Sequence, residues 1–294
     1  MRTGFAMFTA LLTIVIALAA QADPLRNPAG GHQLARTTTQ SQHVRGPSLQ
    51  STASMIVNQR TGAVLYAKNA EQQTCIASLT KLMTAMVTLD SNAPLAERIT
   101  ITGDDVDHLR NTASRLSVGT ALTRRELLQL ALMSSENRAA AALARSHPGG
   151  TAAFIAAMNR KAEALGMRHT EFHDATGLSN GNVSTAADLV KMVQGAYRYP
   201  LVRQLTTTWS YEVPVGKGRQ PTKFQNTNRL IRNQMWNIGL SKTGYIQESG
   251  RCLVMQATIA GEPLIVVLLD SWGKLTPIGD ANRIRAWLEQ SRAG

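Results

Sequence analysis

Leu264-Ile265-Val266-Val267-Leu268-Leu269 is a run of six apolar residues with no polar alternation. A strand with one wet face alternates every second residue, so this one has both faces covered. Gly261-Glu262-Pro263 precedes it as a turn, and Arg251 to Ile259 forms the strand before that. At the other end of the chain, Ser54 to Asn58 and Ala63 to Lys68 flank Gln59-Arg60-Thr61-Gly62, a hairpin signal. Helical patterns fill the middle. Leu79, Leu82, Met83, Met86 and Val87 recur at helical spacing. Thr123 and Glu126 form a capping box before Leu127, Leu128 and Leu130. Phe154, Ile155, Met158, Ala162 and Leu165 line another helical face, closed by Gly166. Thr185 and Asp188 open a helix that stops before Pro200, and a last helix runs from about Ile278 to Glu289, with Ala281, Ile284 and Leu288 inward. The order is strands, helices, strands, helix. The fold class expected is α/β (α+β): an antiparallel sheet built from N- and C-terminal strands, flanked by helices, with an all-helical lobe inserted at about 79–206.

The chain has 294 residues, a net charge of +12, 44% hydrophobic and 17% charged residues, and only two cysteines. That excludes a disordered polyelectrolyte, a polytopic membrane protein and a disulfide-rich scaffold. Arg2, the apolar stretch from Phe5 to Ala20 and Ala20-Gln21-Ala22 match a secretory signal, so residues 1–22 are expected to be removed on export to the periplasm. Residues 23–50 carry Pro24, Pro28, Gly30, Gly31, Gly46 and Pro47 with few large apolar side chains, and read as a flexible tether before a single domain at 51–294. The basic residues are scattered and no nucleic-acid motif accompanies them. They could meet an anionic envelope surface, with loose membrane association, or serve solubility alone; a nucleic acid is not the expected partner.

Three short motifs carry chemistry. Ser78-Leu79-Thr80-Lys81 opens the first strong amphipathic helix, so hydroxyl and amine share a face. A serine attacks only when something takes its proton, and a lysine one turn away can do so if burial or a neighbouring cation keeps it neutral. Alone the motif is weak. Average composition yields roughly one S-x-x-K per chain of this length, and a second copy, Ser271-Trp272-Gly273-Lys274, reads as a loop. Ser135-Glu136-Asn137 lies between two helical segments. Its hydroxyl could relay a proton and its carboxamide could hold a carbonyl or the lysine, while the plain alternative is a helix cap by Ser134 or Ser135. Lys242-Thr243-Gly244 pairs an amine with a hydroxyl that can bind a carboxylate. Its glycine lets a substrate backbone approach, and the plain alternative is a turn.

In this order the three motifs resemble the active-site signature of the serine penicillin-recognising enzymes. The surrounding stretches Ala77–Ala85, Leu130–Ala140 and Leu240–Tyr245 are similar to the D-alanyl-D-alanine peptidases among low-molecular-mass penicillin-binding proteins. Gly250–Met255 and Leu268–Lys274 resemble the endopeptidase branch, also called penicillin-binding protein 7 type, and the likeness covers about residues 50–290. The resemblance implies Ser78 as acylated nucleophile, Lys81 as general base and Ser135 as proton relay. It implies that Asn137 orients substrate and Lys81, and that Lys242 and Thr243, with Gly244, bind a substrate carboxylate. The backbone amides of Ser78 and Tyr245 would form the oxyanion hole, and Lys242 would help keep Lys81 neutral. The substrate implied is peptidoglycan peptide, cut at D-Ala–diaminopimelate cross-links, with β-lactams as covalent inhibitors.

Four alternatives bound this reading. Carboxypeptidase relatives carry a further β-rich domain and an amphipathic anchor. Only six residues follow Leu288 here, so the endopeptidase branch is the expectation. A class A β-lactamase needs an E-x-x-L-N stretch, which Glu163-Ala164-Leu165-Gly166 does not match. A non-catalytic wall-binding protein would not need all three motifs. No metal and no cofactor are expected, because His169 and His173 flank Glu171 without an H-E-x-x-H pattern. Export permits a Cys75–Cys252 disulfide, with two buried thiols as the default.

Overall fold

The computed structural model describes residues 46–215 and 221–293. The expected signal at 1–22, and the tether up to residue 45, lie outside the described residues. Strands β1 (Ala53–Asn58), β2 (Val64–Lys68), β3 (Asn237–Ile246), β4 (Gly250–Ile259) and β5 (Glu262–Ser271) form one antiparallel sheet in the order β2-β1-β5-β4-β3. The two ends of the chain thus meet at β1 against β5, where Ala53 pairs with Leu269 and Asn58 with Leu264.

The apolar run in β5 is buried on both faces, one residue at a time. Ile265, Val267 and Leu269 join the larger core with Val57 and Val254. Leu264, Val266 and Leu268 join a second core with Ile56, Leu253 and Met255. Each such side chain contributes about 1.5–3 kcal/mol by leaving water. The larger core is covered by the helical lobe: α1 (Lys81–Asp90), α2 (Arg124–Met133), α3 (Asn137–Arg145), α4 (Gly150–Ala164), α5 (Ala186–Tyr197) and α6 (Pro200–Thr207). The second is covered by α7 (Thr276–Ala293), through Ala281 and Ile284 with Leu288 partly buried. The capping box of α2 is formed: Glu126 N donates to Thr123 Oγ1 at 3.2 Å and Thr123 N to Glu126 Oε2 at 2.7 Å. Gly166 turns the chain after α4 at φ +73.

One expectation changes in detail. Residues 46–50 pack, although composition assigns them to the tether. Pro47 and Leu49 are buried, and the backbone N–H groups of Gln50 and Ser51 donate to the buried Asp280 carboxylate at 2.8–3.1 Å. Polar anchoring of backbone, invisible to a hydrophobicity count, orders them. The helix opened by Thr185 stops before Pro200, as expected, with its last residue at Tyr197. Proline is tolerated in a first helical turn, and here it opens α6. Lys242-Thr243-Gly244 lies within β3, the edge strand of the sheet, and not in the turn that was its plain alternative.

Candidate active site

Ser78 sits in a tight 3-10 turn, Ala77–Thr80, that runs straight into α1 at Lys81. Ala77 is held at φ +45, a left-handed conformation that costs a non-glycine residue of order 1–3 kcal/mol and persists only where neighbours over-determine it. Two glycines are those neighbours. A Cβ on Gly177 would lie 2.0 Å from Ala77 O, and its φ is +82. A Cβ on Gly244 would lie 3.0 Å from Ile76 O and 3.1 Å from the backbone N of Ser78. Gly244 therefore lets the Ser78 turn itself approach β3, where the sequence reading had a substrate backbone approaching. This also brings the Ser78 amide against the strand one residue before Tyr245.

Lys81 is 0% exposed. Its Nζ lies 2.9 Å from Ser78 Oγ, 2.8 Å from Asn137 Oδ1 and 2.6 Å from the carbonyl oxygen of Thr176. Burial lowers its pKa from 10.5 to about 7, against the opposing pull of the Asp174 and Glu136 carboxylates. The sequence reading named burial or a neighbouring cation as the cause, with Lys242 helping. Burial is the larger cause, and the repulsion between the two amines falls on Lys242, whose pKa is pushed well down by burial first and by Lys81 second.

Ser134 caps α2 by donating to Leu130 O at 2.8 Å, which leaves Ser135 free of that task. Ser135 turns at φ +61 and presents its hydroxyl to Lys242 Nζ at 2.9 Å. Lys242 is 1% exposed and also donates to Thr243 O at 2.9 Å. Asn137 opens α3; its Nδ2 donates to Thr112 Oγ1 at 3.0 Å while its Oδ1 faces Lys81. Thr243 donates from Oγ1 to Thr227 Oγ1 at 2.6 Å at the strand edge. Ser78, Ser135, Asn137, Thr243, Gly244 and Tyr245 all line one cleft of about 520 Å³, and the buried amines of Lys81 and Lys242 sit beneath it.

Several contributors escaped the sequence reading. Thr176 supplies its carbonyl from a loop shaped by Asp174, whose carboxylate accepts from Thr176 N at 2.7 Å and Ser179 N at 2.6 Å. Asn182 braces that loop by accepting from His173 N at 2.8 Å and donating to Thr80 Oγ1 at 3.0 Å. The signal was present as Asp174-Ala175-Thr176-Gly177, an Asx-turn pattern. Glu136 is buried, accepts from Ser114 Oγ, and has its pKa raised by burial. In the second S-x-x-K copy, Ser271 ends β5 with its hydroxyl 2.8 Å from Ser51 Oγ, and Lys274 reaches the cleft rim.

Cys75 and Cys252 are both free thiols, and only Cys252 is fully buried. Burial pushes the Cys252 thiol up to about 12. His173 Nε2 pairs with Glu171 Oε1 at 2.9 Å on the surface.

The family described as D-alanyl-D-alanine carboxypeptidase matches residues 37–273. The chain belongs to this family. It is 49% identical over 241 residues to a D-alanyl-D-alanine endopeptidase of Pseudomonas aeruginosa, covering 82% of this chain and 78% of that one. It is 43% identical over 258 residues to a D-alanyl-D-alanine endopeptidase of Escherichia coli, covering 88% and 82%. Among solved structures, the Streptomyces K15 DD-transpeptidase superposes with a TM-score of 0.77 at 31% identity, covering 83% of this chain and 98% of that one. The antiparallel sheet closed from both chain ends, with its inserted helical lobe, is thus the fold of a DD-transpeptidase.

Proposed function

We propose that this chain is a serine-type D-alanyl-D-alanine peptidase that hydrolyses D-Ala–diaminopimelate cross-links in peptidoglycan. The reading rests above all on the surroundings of Lys81. A neutral amine has two N–H bonds and one lone pair. Asn137 Oδ1 and the Thr176 carbonyl can only accept, so they take the two N–H bonds. The lone pair is left for the Ser78 hydroxyl proton.

In the mechanism that follows, Lys81 takes the proton of Ser78 and Ser78 Oγ attacks the D-Ala carbonyl carbon. The amides of Ser78 and Tyr245 hold the oxyanion. The C–N bond breaks, and the leaving nitrogen takes a proton through Ser135, whose hydroxyl is held by Lys242. Lys242 and Thr243 bind the carboxylate next to the scissile bond. Water then enters, gives a proton to Lys81 and adds its oxygen to the ester carbonyl; as the bond to Ser78 Oγ breaks, Lys81 passes that proton to Ser78 Oγ, which restores the hydroxyl and the neutral amine. β-Lactams acylate Ser78 and stay bound, since no E-x-x-L-N carboxylate activates the deacylating water. Rapid turnover of a chromogenic cephalosporin would contradict this.

Export supplies the setting: residues 1–22 act as a cleaved signal, the following segment as a tether, and the basic surface as a loose contact with the anionic envelope. The periplasm is where such a substrate resides. The endopeptidase reading is supported by the names of the relatives from Pseudomonas aeruginosa and Escherichia coli. The family's own description favours carboxypeptidase action as the second reading. Digestion of purified cross-linked dimers and of stem pentapeptides separates the two. Dimer cleavage supports the endopeptidase; release of free D-Ala with dimers intact overturns it.

A further inference from the structure

The cleft is larger than the mechanism requires. Beyond Gly244 it continues past Tyr245 and the β3–β4 turn to Arg251, Lys274, Leu275, Pro277 and Ile278. Register explains the convergence. Arg251 lies opposite Tyr245 on β3 and opposite Ser271 on β5, and Lys274 follows three residues later. Both cations therefore sit at the same end of the sheet, next to the Lys242-Thr243-Gly244 edge.

Among the described residues, four cationic side chains line the opening: Arg110, Arg229, Arg251 and Lys274. Arg110 is already engaged, with Glu248 Oε1 at 2.8 Å and the Leu178 carbonyl at 2.6 Å. Arg229, Arg251 and Lys274 make no ion pair among the described residues. The Arg251 guanidinium stacks 4.4 Å from the centroid of the Tyr245 ring, which orders the fork without satisfying its donors. Three like charges without ion-pair partners, gathered in one concave site, raise the local concentration of anions. Leu275, Pro277 and Ile278 add an apolar wall beside them.

We propose that this arm of the cleft is a second anion subsite, in which Arg251 and Lys274, with Arg229 at the rim, bind a carboxylate of the leaving half of a cross-linked peptide. The inference rests on the peptidase reading above and names the specificity of that same site. A free D-alanine leaving group has a single carboxylate, the one beside the scissile bond. The leaving half of a cross-link carries that carboxylate, then the aliphatic arm of a diamino acid, then the further carboxylates of its own stem. The apolar wall suits the arm and the unpaired cations suit the distant carboxylates. The subsite thus favours cross-links over pentapeptides.

The test compares wild type, Arg251→Gln and Lys274→Gln on three substrates: a cross-linked dimer, the same dimer with only the distant carboxylates of its leaving stem amidated and the one beside the scissile bond kept free, and benzylpenicillin. Loss of one charge-assisted contact is expected to raise KM for the free-acid dimer about tenfold with kcat held. Amidation raises the wild-type KM similarly and removes the effect of the substitutions. Acylation by benzylpenicillin, which has no leaving stem, stays unchanged. An unchanged KM in both variants, or an equal loss on dimer and penicillin, overturns the subsite. Calorimetric binding of the uncross-linked stem tripeptide, which involves no hydrolysis, tests it separately from the peptidase reading. Binding weakened about tenfold by Arg251→Gln supports the subsite even if no dimer is cut, and binding that the substitution leaves unchanged overturns it.

Discussion

Lys81 Nζ stands 2.9 Å from Ser78 Oγ, in a side chain from which all water is excluded. The contact joins two links of one argument. Burial brings the amine's pKa down to about 7, so that a large share is neutral at physiological pH, and the 3-10 turn into α1 aims it at the one neighbouring group that can donate to it.

Replacing Lys81 by Met removes the base and keeps the volume. A positioned general base contributes about 10²–10⁴-fold, so acylation by benzylpenicillin should fall by that factor, measured by stopped-flow or gel fluorescence. Stability changes its pH dependence as well. The folded-state pKa of Lys81 is depressed from 10.5 to about 7, so between those values the unfolded chain binds the extra proton and wild-type stability rises with pH. Lys81→Met loses that component of the slope in denaturant titrations.

Glu136 opposes the depression of the Lys81 pKa. Glu136→Gln removes a negative charge that favours the ammonium form, so the midpoint of the acylation pH profile should move to lower pH. Penicillin acylation measured at several pH values checks this. A shift to higher pH would place the influence of Glu136 elsewhere.

Gly244→Ala puts a methyl group 3.0 Å from Ile76 O and 3.1 Å from Ser78 N. The nucleophile turn must move, and a displacement of about 1 Å costs about 10²-fold in rate. Acylation should drop by that order while circular dichroism and the melting transition stay close to wild type.

Asp280 is 0% exposed and accepts from Ser51 Oγ at 2.6 Å, as well as from the backbone of Gln50 and Ser51. Asp280→Ala leaves these donors without a partner, at about 1–3 kcal/mol for a buried group and more for a charged contact. The melting temperature should fall. Acylation by benzylpenicillin well below that transition should be retained, because Asp280 joins the start of the domain to α7, outside the active-site cleft.

Much of this was legible from residues alone, for definite reasons. The unbroken apolar run at 264–269 required two covered faces, and the two cores supply them. The capping pair Thr123 and Glu126 fixed the start of α2 because its signal is local. The spacing of Ser78 and Lys81 put hydroxyl and amine on one face for the same reason. Contacts made through backbone, or across the fold, were not legible. The Thr176 carbonyl carries no side-chain signature, and its approach to Lys81 depends on Gly177 fitting against Ala77, 100 residues earlier in the chain. Lys242-Thr243-Gly244 was legible as a motif, but its place inside an edge strand was not, because glycine breaks strands on average; here the strand needs Gly244 for close packing. The cations at 251 and 274 looked like scattered surface charge until strand register set them at one end of the sheet.

The most direct test of the account is the rate at which benzylpenicillin esterifies Ser78, followed across the neutral pH range with the adduct mapped by mass spectrometry. A single-proton rise with a midpoint near the value of about 7 held by Lys81 is the predicted result. An adduct on any other residue, or a rate that stays flat until the ordinary range of an exposed lysine, would contradict it.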